Sequence, residues 1–110
     1  MVRAGIVGPS PTPKKGNSAM AHFILTYGYN DTPLRSERRP DHLEHLATMK
    51  ADGSLVLAGP LADLSGGIIV FAADDLEAAR AVVEQDPYTQ LDVTKDRLLQ
   101  EWKITVGLTT

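Results

Sequence analysis

A chain of 110 residues, 43% hydrophobic and 23% charged, has the composition of one globular domain, enough for a single core but not for two. Its net charge of −3 is uneven, with +3 on residues 1–20 and −6 on the rest. An acidic body argues against a nucleic-acid partner, and three dispersed bases with no bilayer-length apolar run argue against a membrane one.

The head has Ala4 to Gly8 as its only apolar patch, too short for a secretion signal. Residues 9–18 contain three prolines and no hydrophobic periodicity, so 1–19 is expected to be a disordered, dispensable tail. The folding domain is expected over 20–110, with Met20 where foldable sequence begins. The chain has no cysteine, which removes disulfides, thiolate metal sites and cysteine nucleophiles and suits a cytoplasmic protein.

Residues 22–29, rich in aromatic and β-branched types, predict a strand ended by Asn30-Asp31. Residues 36–52 predict a helix with Leu43, Leu46, Ala47 and Met49 on one side. Ser36 fits its N-cap, Pro40 its first turn and Gly53 its C′ position. Residues 54–58 and 67–72 predict the second and third strands, with Gly59-Pro60 and Gly66-Gly67 read as turn residues between them. A second helix is expected over 75–85, capped by Asp74 with Glu77 completing a capping box. Its stripe is Leu76, Ala79, Val82 and Val83, and Pro87 ends it at Asp86. The last strand is expected over 98–106, where Leu98, Gln100, Trp102, Ile104 and Val106 alternate with more polar neighbours.

That order, β-α-β-β-α-β, predicts an α+β, ferredoxin-like antiparallel sheet with both helices on one face. The first strand is apolar on both faces, with Phe23, Leu25 and Tyr27 opposite Ile24, and the third likewise splits Ile68 and Val70 from Ile69 and Phe71. A bare apolar sheet face calls for a partner, so a homodimer is expected.

The strings Arg39-Pro40-Asp41-His42-Leu43, Gly53-Ser-Leu-Val-Leu-Ala-Gly-Pro-Leu61, Gly66-Gly67 and Asp86-Pro87-Tyr88, in this order and spacing, resemble the YciI-like (YCII-related) family over about residues 21–104. The resemblance implies a dimeric α/β barrel and a histidine–aspartate dyad. Position by position the dyad falls on His42 and Asp86, with Arg39, Gly59 and Pro60 as neighbouring pattern positions. Two features depart from the pattern: Thr89–Asp96 has no glycine, and Trp102 follows Glu101 rather than proline.

Read on their own chemistry, the same residues carry two meanings each. His42, in an early helix turn, is a candidate general acid or base, or else an exposed helix histidine. Asp86 at a helix C-terminus would face the negative end of the dipole at a cost of roughly 0.3–1 kcal/mol. Residues that break a local rule tend to be functional, although an aspartate before proline also caps turns. Arg39 or Arg38 could bind a substrate carboxylate, or pair on the surface with Glu37 or Asp41. Tyr88 and Trp102 could line a pocket or pack in the core. His42 and His45 lie at i and i+3 near Asp41, but no third ligand is evident, so no metal is expected. No cofactor is expected either, since the glycines do not open a helix in a βαβ unit.

The parts suit a small cytoplasmic enzyme that isomerises or eliminates, working on a small, aromatic-derived organic molecule. His42 and Asp86 would be catalytic, and Arg39, Gly59, Pro60 and Tyr88 would bind substrate. The alternative is a dimeric ligand-binding module without turnover.

Overall fold

In a computed structural model, residues 20–107 form four strands and four helices. Residues 1–19, expected as a tail, and 108–110 lie outside the described residues. β1 (Ala21–Tyr29) is followed by α1 (Leu34–Glu37) and α2 (Arg39–Asp52), then β2 (Leu55–Pro60) and β3 (Gly66–Ala73). α3 (Leu76–Glu84), α4 (Pro87–Gln90) and β4 (Thr94–Glu101) complete the order. The sheet runs β2-β3-β1-β4 with every pair antiparallel, as the ferredoxin-like pattern requires. Among the described residues no helix is long and apolar enough to cross a membrane.

Alternation in the two central strands builds the core. Phe23, Leu25 and Tyr27 of β1 and Ile69, Phe71 and Ala73 of β3 are buried, with Met49 of α2 and Ala79 of α3 above them. Phe23 and Phe71 face each other across the register, ring centroids 6.2 Å apart. Each such side chain contributes roughly 1.5–3 kcal/mol by leaving water.

The predicted first helix is two helices. Pro40 in the interior of one continuous helix would clash with the carbonyl of Ser36. The chain instead breaks at Arg38 (φ −101°, ψ 4°), which places Pro40 in the first turn of α2. Ser36 is therefore not an N-cap; it lies inside α1, its hydroxyl donating to the Pro33 carbonyl. At the other end Gly53 takes the left-handed conformation (φ 87°) that closes α2. The buried positions of α2 are His42 and Met49, with Leu46 half-buried between them, while Leu43 is exposed. A histidine thus occupies the core-facing stripe.

Asp75, not Asp74, caps α3: its carboxylate accepts from the Ala78 N–H at 2.8 Å. That register moves the third residue of the capping box to Ala78, so Glu77 cannot close it. β4 begins four residues earlier than predicted and ends at Glu101. Its polar opening, Thr94 to Arg97, contains a bulge opposite Thr26 and Gly28, with Asp96 at φ 51°, which breaks the alternation that marks a strand. The Trp102 N–H donates to the His22 carbonyl, and there the ladder ends. The apolar alternation of Trp102, Ile104 and Val106 lines a cleft with Leu57 and Val70 instead of pairing in the sheet.

Gly59-Pro60 and Gly66-Gly67 are strand residues, correcting their reading as turns. Pro60 is tolerated because β2 is an edge strand. The turn lies between them, where the Leu61 N–H donates to the Gly66 carbonyl and the exposed Asp63 carboxylate accepts from the Ser65 N–H and hydroxyl. Those two bonds hold the Asp63 carboxyl below its ordinary pKa. A Cβ at Gly66 would collide with the Tyr27 carbonyl oxygen and meet the Gly28 Cα at 3.3 Å, both backbone atoms of a central strand. Gly66→Ala is therefore expected to cost about 1–3 kcal/mol or more by overpacking. Thermal unfolding checks this: the midpoint should fall by at least about 4 °C, and an unchanged midpoint would show that β1 and β3 are farther apart.

Candidate active site

The first turn of α2 and the junction between α3 and α4 meet at one end of the sheet. His42, the fourth residue of α2, is 7% exposed, and Asp86 is 5% exposed. His42 Nδ1 lies within hydrogen-bond distance of both carboxylate oxygens of Asp86, 2.9 Å from Oδ1 and 2.8 Å from Oδ2, and because an ionised carboxylate can only accept, a proton on Nδ1 satisfies the pair. Asp86 Oδ1 also accepts from the Tyr88 N–H at 2.9 Å.

The placement of Asp86 corrects one expectation. Although it follows α3, it is the N-cap of α4, with Pro87 as the first helical residue. Its carboxylate receives a backbone N–H rather than facing only the negative end of a helix, so no dipole penalty marks it. The turn-capping role and the contact with His42 are compatible because the carboxylate accepts both bonds.

Tyr88 holds the ring. Its phenol ring stacks on the His42 imidazole, centroids 4.1 Å apart and planes within 3°. Its hydroxyl donates to the Arg35 carbonyl at 2.5 Å, and Tyr29 meets it edge-on at 6.5 Å. With one side against Tyr88 and Nδ1 tied to Asp86, the imidazole presents its remaining edge to a cavity of about 210 Å³. This void is lined by His42 and Tyr88, by Arg35 and Arg39, by Tyr27 and Tyr29, and by Ala58, Gly59 and Pro60 at the end of β2, with Leu43 and Leu46 on the helix side.

Of the residues that the sequence offered for a site, His42, Arg39, Gly59, Pro60 and Tyr88 line the cavity, and Asp86 stands directly behind His42. Arg38 does not line it; it pairs with Asp41 at 3.6 Å on the exposed face of the helix. Trp102 lines the separate cleft over the other sheet face, and His22 sits on β1 opposite Ala72. No group of three His, Asp or Glu side chains able to hold a metal gathers among the described residues.

Sequence reasoning missed Tyr27, Tyr29 and Arg35. The tyrosines continue the inward alternation that starts at Phe23, so the period of β1 already points them to this end. Arg35 has no such signal, since it sits on a single helical turn, α1, that the sequence merges into a longer helix.

Burial raises the pKa of Tyr27 well above the ordinary phenol value, with the charge and hydrogen bond of Tyr29 and the charge of Asp86 adding to it. Burial also raises Tyr88, partly opposed by Arg35. Both phenols therefore stay protonated donors. The Tyr27 hydroxyl fits only because Gly67 has no side chain, since a Cβ there would lie 2.5 Å from it. A raised phenol stabilises the fold fully below its unfolded pKa of about 10, and the stability is lost as pH climbs above that. Wild type should thus lose up to about 1.4 kcal/mol per pH unit through this group above pH 10. Tyr27→Phe should flatten that alkaline slope in urea titrations; an unchanged slope would show that Tyr27 is not desolvated.

The YCII-related domain family model matches residues 20–103. The protein YjpA of Bacillus subtilis, described only as uncharacterized, is 33% identical over 71 residues, covering 64% of this chain and 82% of its own length. The structure of 5-chloro-2-hydroxyhydroquinone dehydrochlorinase (TftG) from Burkholderia phenoliruptrix superposes with a TM-score of 0.62 at 22% identity, covering 74% of this chain and 93% of that one. The structure of MtbAldR is a more distant likeness, with a TM-score of 0.54 at 13% identity over 99% of this chain and 68% of that one. These two structures share the fold. The family match spans nearly all of the sheet, the helices and the dyad, and the chain is a member of the YCII-related family.

Proposed function

We propose that this chain, with residues 20–110 as its working domain, is a small cytoplasmic enzyme that performs cofactor-free acid–base chemistry on a small, aromatic-derived organic molecule. The observation that carries the reading is the buried His42–Asp86 pair at 2.8 Å, with the imidazole on the wall of a cavity. Asp86 fixes the tautomer with the proton on Nδ1, so Nε2 keeps its lone pair for substrate. Nε2 takes a proton from a carbon or hydroxyl beside a carbonyl, and the released electron pair forms a new double bond. In an isomerisation the proton returns to a different atom; in an elimination a leaving group departs with its electron pair. Asp86 stabilises the imidazolium in between, and Arg39 and Arg35 meet negative charge on the substrate.

Support for the elimination branch comes from TftG, named as a dehydrochlorinase and solved with 2,5-dihydroxybenzoquinone. A planar, oxygen-rich ring also suits a cavity walled by three tyrosines. The domain is proposed to work as a homodimer packed through the sheet face that carries Ile24, Ile68 and Leu98, with Leu57 and Leu98 more than half exposed in the single chain.

Solvent deuterium exchange reads the proton-transfer step whatever the overall reaction. Wild type, incubated with a panel of hydroxyquinones and enolisable keto acids, should catalyse exchange at carbon in at least one, and His42→Asn should lose it by about 10²–10⁴-fold. Binding with no exchange anywhere in the panel would overturn the proposal in favour of a ligand-binding module.

A further inference from the structure

One of the two arginines on the cavity wall, Arg35, is drawn partly out of water with no anion beside it among the described residues. Arg35 contributes to its wall, with its guanidinium carbon 4.2 Å above the centre of the Tyr29 ring. The Arg35 Nε is buried and has no hydrogen-bond partner among the described residues. Among the described residues no carboxylate lies within ion-pair distance of this side chain, whereas Arg38 has Asp41 and Arg97 has Asp92. A guanidinium flattened against an aromatic ring and drawn partly out of water has lost hydration without gaining a counter-charge. Its position is fixed twice over, because the Arg35 carbonyl is also the acceptor for the Tyr88 hydroxyl, and Tyr88 stacks on His42.

We propose that Arg35 is the anion-recognition residue of the His42 cavity, and that the site takes a planar organic anion whose charged oxygen pairs with this guanidinium while its ring lies among Tyr27, Tyr29 and Tyr88. The inference rests on the reading of that cavity as the working site. It assigns the main anion contact to Arg35 rather than to Arg39, which likewise has no ion pair among the described residues but is exposed at the start of α2, where water meets its charge. Arginine suits the role because its planar fork meets two oxygens at once and stacks on a ring, and lysine can do neither. The charge would also place substrate acidity within reach of His42, since an anion held at Arg35 sets the rest of a small ring against the imidazole edge.

Benzoate and its neutral isostere benzamide test this directly, titrated into the full-length protein and followed through the histidine resonances by NMR. Wild type should bind benzoate at least about tenfold more tightly than benzamide, with His42 shifting in both titrations. Arg35→Gln should abolish the preference, Arg35→Lys should retain only part of it, and Arg39→Gln should leave most of it. All variants keep the backbone carbonyl that holds Tyr88. An undiminished preference in Arg35→Gln, a preference lost only in Arg39→Gln, or benzoate binding that leaves His42 unmoved would each overturn the assignment. The two proposals fail separately. Wild type without any deuterium exchange but with an Arg35-dependent anion preference would leave a binding site and remove the enzyme; His42-dependent exchange with no role for Arg35 would do the reverse.

Discussion

Asp86→Asn is expected to keep the fold and lose the chemistry. In the wild type Oδ1 accepts from the Tyr88 N–H, and both oxygens face the His42 Nδ1–H. In the carboxamide the oxygen stays with Tyr88, because asparagine caps a helix as well as aspartate does. The NH₂ group then points at Nδ1 and requires it to accept. The imidazole answers by moving its proton to Nε2, which is the atom that should take a proton from substrate. In serine proteases the same replacement costs about 10⁴-fold in turnover through the same wrong tautomer. A loss of that order is expected here, measured on whichever substrate the exchange panel identifies. The unfolding midpoint should move little. Activity within about tenfold of wild type would show that Asp86 does not set the tautomer.

Asp86→Ala should do what the carboxamide does not, and unfold the protein. Removal of the carboxylate leaves the His42 Nδ1–H and the Tyr88 N–H buried without an acceptor, and α4 without its cap. Each stranded donor costs about 1–3 kcal/mol, and the lost cap adds about 1. For a domain of this size that is a fall in midpoint of more than about 10 °C. Adding His42→Leu should recover part of the loss, since an apolar pair strands no donor on the histidine side. If Asp86→Ala cost less than about 1 kcal/mol, water would have to reach the pair.

The contrast between these variants follows from a site only partly legible in the sequence. The strand order and both faces of β1 and β3 can be read because their apolar periods are strong. His42 and Asp86 can be paired because antiparallel helices on one face bring the start of one to the finish of the other. The family resemblance then singles them out. The physical basis of Asp86 is not legible, since a four-residue helix such as α4 leaves no periodic trace and its capping residue looks like a helix end. Leu43 and His42 exchange places for a related reason. Hydrophobic patterning assigns the leucine to the core, and only the carboxylate from a segment forty-four positions away makes burial of the histidine tolerable. Arg35 is invisible in the sequence because its meaning lies in what it lacks among the described residues, an acceptor for a buried Nε. Absence of a partner is a property of packing that no spacing reveals.

The tautomer of His42 is where these arguments meet, and nitrogen NMR on histidine-labelled protein reads it directly. At a pH above the range in which imidazole titrates, wild-type His42 should show its proton on Nδ1, with a downfield resonance that disappears in Asp86→Asn. Nε2 should give the signal of an unprotonated nitrogen that moves when benzoate enters the cavity. A wild-type His42 carrying its proton on Nε2 would contradict the proposed base, because the nitrogen left to accept a proton would then be the one turned toward Asp86.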